Sequence, residues 1–106
     1  MESLKSALTV VQPSGDLNAA NAYTLQSQLS EHIASESSMG LMVDMSQVES
    51  LDSAGLVSLI SALRMARNLR KRFCLCAVPP SIKIVFELTQ LDQVFEFEDE
   101  LSVKAA

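Results

Sequence analysis

The sequence predicts an α/β layer domain in which strands and helices alternate as strand, helix, strand, helix, strand, helix, strand. Two observations carry this reading. Short apolar or β-rich runs recur at residues 8–11, 41–45, 72–78 and 94–99. Between them lie segments whose apolar residues repeat at helical spacing, with turn-forming residues at the junctions. Regular alternation of this kind implies parallel strands joined by right-handed crossovers.

Each element follows from local chemistry. The run "LKSALTVVQPSG" is β-rich over residues 8–11 and ends in Pro13-Ser14-Gly15, so it reads as one strand, with the residues before it as a candidate hairpin partner. Asn18 is a candidate N-cap for a first helix in which Ala22, Leu25, Leu29 and Ile33 share a face. "SESSMG" ends that helix, and "LMVDM" reads as a short buried strand interrupted only by Asp44. "SQVES" reads as a connecting loop. From Ala54 onward, Leu56, Leu59, Ile60, Leu63 and Ala66 recur at i, i+3, i+4 and i+7, a second helix. "RFCLCAV" is the next strand, stopped by Pro79-Pro80, and Pro80 suits the first turn of a third helix where a missing N–H costs nothing. That helix, "SIKIVFELTQL", turns Ile82, Val85 and Phe86 inward, and "VFEFED" alternates as the last strand.

Composition narrows the function classes. The 106 residues suit a single domain over 1–106, and 48% hydrophobic residues without Trp imply an aliphatic core. A net charge of −5 argues against nonspecific nucleic-acid binding, which needs a positive surface. The one basic run, "RMARNLRKR", closes the second helix, where cations complement the negative end of the dipole. Cys74 and Cys76 fall on one strand face with no ligand pattern around them, as buried free thiols of a reducing compartment would. The first residues show no signal-peptide pattern, and no apolar run approaches the ~20 residues that span a bilayer. These features describe an acidic cytoplasmic domain, with no membrane segment and no metal or cofactor called for.

The stretch "VESLDSAGLVSLISAL" (residues 48–63) concentrates the functional question. Ser53 falls at the N-terminus of the second helix, where unpaired backbone N–H groups and a partial positive charge gather. A phosphate there is stabilised by ~0.3–1 kcal/mol when exposed. Asp52 and Ser53 also have a plain reading as helix capping, worth ~1 kcal/mol. Ala54, Ser58, Ser61 and Met65 are expected opposite the Leu56/Leu59/Ile60/Leu63 stripe. Such small residues suit close docking of a partner protein, and they are equally ordinary on an exposed helix face. A nucleophilic serine is disfavoured: the only histidine, His32, lies within the first helix, and no "GxSxG" elbow, P-loop or kinase signature occurs. The chain reads as a non-enzyme.

The segment "VDMSQVESLDSAGLVSLISAL" resembles the phosphorylation segment of STAS-domain anti-sigma-factor antagonists, in which a strand bearing an acidic or amide residue leads to an Asp-Ser motif opening a helix. "PSGDLNAANAYTLQSQL" and "CAVPPSIKIVFELTQLDQVFEFED" are similar to the family's flanking segments, so the resemblance spans nearly the whole chain. It implies a STAS fold: a small mixed four- to five-stranded sheet with helices packed mainly on one side.

The resemblance also implies a mechanism, with Ser53 as the phosphorylated residue. The unphosphorylated protein binds an anti-sigma factor that is also a HATPase-type serine kinase. Phosphorylation releases the antagonist, and a PP2C-type phosphatase resets it. Partner-binding positions implied are Asp52, Ala54, Gly55, Ser58, Ser61 and Met65, with Asp16 and Asn18 from the segment before the first helix. The free protein is expected as a monomer. Ala54 stands where many relatives carry a second hydroxyl, which leaves Ser53 alone inside the motif, with Ser50 and Ser58 as nearby alternatives. Asp44 orders the phospho-loop or assists the kinase, or else only bonds backbone at a strand end. Gly55 permits close approach by a partner, or else a tight strand-to-helix junction. A competing duty within the resemblance is a stressosome component or transporter partner whose serine docks without being modified.

Overall fold

The computed structural model describes residues 8–98. In chain order its elements are β1 (Leu8–Val11), β2 (Gly15–Leu17), α1 (Ala22–Ala34), β3 (Gly40–Asp44), β4 (Val48–Leu51), α2 (Ser53–Asn68), β5 (Arg72–Cys76), α3 (Pro80–Leu88), a 3-10 turn (Leu91–Gln93) and β6 (Glu96–Glu98). β1, β3, β5 and β6 form a parallel sheet in that spatial order, and β2 pairs with β4 in a separate parallel ribbon. Each crossover in the main sheet moves one strand in the same direction. With right-handed connections, all three helices then lie on one face. The hairpin partner expected for β1 falls at residues 1–7, outside the described residues.

The core shows the same one-sidedness. Leu41, Val43, Phe73 and Leu75 point into one buried cluster with Leu29, Ile33, Leu59, Ala62, Ile82 and Phe86 of the helices. The alternate strand residues Met42, Cys74 and Cys76 make a second buried cluster, as the period-2 geometry of strands requires. Phe86 meets Phe95 and Phe97 edge-on at centroid separations of 5.3 and 5.4 Å, closing the α3 end of the core. Both cysteines are free thiols, and burial pushes the Cys74 thiol up to about 11.

Four expectations need correcting. "SQVES" is not wholly a loop: Val48–Leu51 is β4, which pairs with β2. Both strands are too short and too exposed to carry a period, with Glu49 and Ser50 both in solvent. Helix α1 starts at Ala22, not just after Asn18. The Asn18 side chain accepts the Ala20 N–H at 2.9 Å, an Asx turn ahead of the helix, and Asn21 occupies the cap position.

The third helix ends earlier than expected, at Leu88, before the separate 3-10 turn. The basic run, finally, closes α2 only in part, with Arg67 in its last turn. Lys71 Nζ donates to the Ile33 and Ser35 carbonyls at 2.6 and 2.7 Å, capping α1 instead. Arg67 donates to the Val94 carbonyl at 2.9 Å, and Arg72, in β5, pairs with Glu96 and Glu98 of β6.

Candidate functional site

The β2–β4 ribbon is the scaffold of the site. Asp16 stands opposite Ser50 and Leu17 opposite Leu51. Leu17 and Leu51 are buried, while Asp16 and Ser50 face solvent, where the Ser50 hydroxyl donates to Asp16 Oδ1 at 2.7 Å. Asn21 Nδ2 donates to the Asp16 carbonyl at 2.6 Å, and Asn21 Oδ1 accepts the Asn18 N–H at 3.0 Å. The ribbon ends when the Asp52 N–H donates to the Leu17 carbonyl at 3.1 Å. Asp16, Asn18 and Asp52 are therefore brought to one region.

Asp52 then caps α2. Its Oδ1 accepts the Gly55 N–H at 3.0 Å, and its backbone carbonyl accepts the Leu56 N–H at 2.9 Å. Ser53 follows as the first helical residue; it is exposed, and its hydroxyl has no partner among the described residues. The two nearby serines differ. Ser50 is bonded to Asp16, and Ser58 is 1% exposed with its hydroxyl donating to the Gly55 carbonyl at 2.6 Å.

Gly55 is explained by packing. A Cβ there would lie 2.6 Å from the Leu17 carbonyl oxygen and 2.9 Å from Leu51 Cδ1. The helix can begin directly over the ribbon only because this side chain is absent. Gly55 is buried, so its role is the tight junction rather than contact with a partner.

The outer face of α2 is not the one the Leu stripe predicts. Gly55, Ser58, Leu59, Ala62 and Ala66 are among its buried residues, so the core-facing axis is turned by roughly 70° at 100° per residue. The shift puts Ser58 inside, which removes it from any docking surface. Ala54, Ser61 and Met65 are half-buried, and Met65 packs against the core cluster. The exposed stripe is Ser53, Val57, Arg64 and Asn68, with Val57 56% exposed. The three small residues 54, 58 and 61 drew attention away from Val57. Gly55 and Ala62, small because they pack closely, were the signal for the true buried axis.

Asp44 sits at the end of β3, 5% exposed. Its Oδ2 accepts Gln12 Nε2 and its Oδ1 accepts the Ser46 N–H, each at 2.9 Å. These bonds tie the β1–β2 connection to the β3–β4 turn, and so fix the approach to β4. A cleft of about 280 Å³ opens between the β1–β2 connection and α1, lined in part by Gln12, Ser14, Asn21 and Gln28. It includes neither Asp52 nor Ser53. The Ser53 site is an open surface, suited to a protein partner rather than to an enclosed small molecule.

Among the described residues no group of three or more His, Cys, Asp or Glu side chains could hold a metal ion, and no helix is long and apolar enough to cross a membrane. BtrV, a Bordetella bronchiseptica protein named as an anti-sigma factor antagonist, is 24% identical over 92 residues, covering 87% of this chain and 78% of that protein.

Among solved structures, an anti-sigma factor antagonist from Mycobacterium paratuberculosis superposes with a TM-score of 0.79 at 28% identity, over 91% of this chain and 80% of that one. The Bacillus cell fate determinant SpoIIAA in its phosphorylated form gives 0.67 at 17% identity, over 89% and 85% of the two chains. A sulfate transporter family protein from Wolinella succinogenes gives 0.79 at 13% identity, over 92% and 80%. The family model of the STAS domain matches residues 2–104. The chain belongs to the STAS domain family.

Proposed function

We propose that this STAS domain is a phosphorylation-controlled anti-sigma-factor antagonist with Ser53 as its switch residue. In this reading the unphosphorylated form binds an anti-sigma factor that is also a HATPase-type serine kinase, phosphorylation of Ser53 releases it, and a PP2C-type phosphatase restores the binding form. The observation that carries it is the contrast among three serines. Ser53 is exposed with a hydroxyl unengaged among the described residues, whereas Ser50 is bonded to Asp16 and Ser58 is buried.

The electrostatics support the same reading. Phosphorylation adds roughly −1.5 to −2 charge at pH 7, beside Asp52 and on a chain already at −5. The helix N-terminus tolerates that dianion locally, so the fold stays intact. A partner surface that must desolvate it loses affinity by about 2–3 kcal/mol.

The test is to incubate the chain with ATP and HATPase-type kinases from its source and to locate the phosphate by mass spectrometry. One site at Ser53, lost in Ser53→Ala, is the expected result; equal labelling of Ser53→Ala refutes the assignment. A second reading, a regulatory partner of a transporter, draws on the likeness to the sulfate transporter family protein. Under it the chain binds a transporter segment and Ser53 remains unmodified.

A further inference from the structure

We infer that Val57 is a substrate contact for the kinase that modifies Ser53, its exposed apolar side chain covered when that kinase docks over the Ser53 hydroxyl. The inference rests on the proposed function and adds a residue to it. Val57 is 56% exposed, on the same face of α2 as Ser53 and four residues further on. At 1.5 Å per residue the two lie about 6 Å apart along the helix.

A single exposed valine is unremarkable on a protein surface. Its distance from the reacting hydroxyl is what gives it a role. A kinase that holds the Ser53 hydroxyl in line with ATP must cover the surrounding surface. A standard interface buries about 800 Å² per partner, a patch of about 16 Å radius. Val57 falls well inside such a patch, whereas Arg64, eleven residues on and about 16 Å away, falls at its rim.

No other exposed residue on the stripe near Ser53 is apolar; Ile60, at its edge, is half-buried and packs against the core cluster. Ala54 is half-buried, Ser58 is inside, and Ser61 is half-buried. Val57 is therefore the side chain on this stripe whose desolvation favours the complex. The contact is made equally in the bound substrate and in the transition state, so losing it raises KM and leaves kcat nearly unchanged.

The test compares wild type, Val57→Thr and Val57→Ile as full-length substrates of the HATPase-type kinase that phosphorylates the wild-type chain. Thr keeps the shape and the β-branching but replaces a methyl with a hydroxyl; Ile keeps the apolar surface. Val57→Thr is expected to raise KM about five- to tenfold with kcat within twofold. Val57→Ile is expected to stay within about twofold of wild type in both. Melting temperatures within a degree or two of wild type rule out a folding defect, as the exposure of Val57 predicts. An unchanged KM for Val57→Thr while wild type is still labelled at Ser53 overturns this inference alone. No labelling of wild type by any such kinase overturns the reading beneath it, and the inference with it.

Discussion

Ser50 and Asp16 face each other across the β2–β4 ribbon, and the Ser50 hydroxyl donates to Asp16 Oδ1 at 2.7 Å. The bond lies at the surface three residues before Ser53, so it steadies the strand that delivers the switch residue and occupies the nearest competing hydroxyl. Removing it in Ser50→Ala should cost about 0.5–1 kcal/mol. For a domain of this size that lowers the melting temperature by about 2–8 °C, while phosphate still goes to Ser53. Loss of all labelling in folded Ser50→Ala, with the wild-type phosphate mapped to Ser50, would show that Ser50 is the acceptor.

Gly55→Ala tests the tight junction. Alanine is the better helix former by about 1 kcal/mol, so helix propensity alone predicts stabilisation. The new Cβ would lie 2.6 Å from the backbone oxygen of Leu17, which cannot yield as a side chain can. Overpacking of this kind costs about 1–3 kcal/mol and should win. Chemical denaturation of Gly55→Ala should show a lower midpoint than wild type; a higher midpoint would mean that the helix start has room to lift.

Arg70 ends α2 in the left-handed region at φ 59, with the Lys71 N–H donating to the Ala66 carbonyl at 2.8 Å. This is the Schellman position that favours glycine. Arg70→Gly should relieve about 1 kcal/mol of backbone strain, and a thermal melt should move up by about 4–8 °C. No increase would mean that the arginine side chain makes a compensating contribution.

Burial raises the Cys74 thiol from 9.0 to about 11, so the folded chain keeps a proton that the unfolded chain releases above pH 9. Its contribution is fully present below pH 9 and is lost as pH rises towards 11, with a slope of at most ~1.4 kcal/mol per pH unit. Urea midpoints measured at pH 8 and pH 10.5 should fall more steeply for wild type than for Cys74→Ala. Native Cys74 should also resist iodoacetamide until the chain is unfolded; alkylation at the rate of a free peptide thiol would contradict its burial.

The major elements were legible because they carry strong periods. Leu25, Leu29 and Ile33 mark α1 without ambiguity, and the parallel order follows from alternation alone. The β2–β4 ribbon was not legible: three and four residues with mostly exposed side chains leave no pattern, and their partner is set by tertiary pairing. The Asp52-Ser53 junction was readable as a cap, and the motif's resemblance pointed to its use. The rotation of α2 was masked, because two overlapping stripes of apolar residues fit the same helix and only the small residues Gly55 and Ala62 signalled the buried one. Only contact of Gly55 with Leu17 and Leu51 decides between them, and that contact moves Ser58 inward and Val57 outward.

The central claim is that one phosphate on Ser53 separates binding from release. The most direct measurement is the affinity of the anti-sigma kinase for the unmodified chain and for the same chain stoichiometrically phosphorylated at Ser53, by isothermal titration at fixed salt. A dianion beside Asp52 in a surface that must be desolvated predicts a dissociation constant at least about thirtyfold weaker for the phosphorylated chain, with its melting temperature nearly unchanged. Equal dissociation constants for the two forms would contradict the switch.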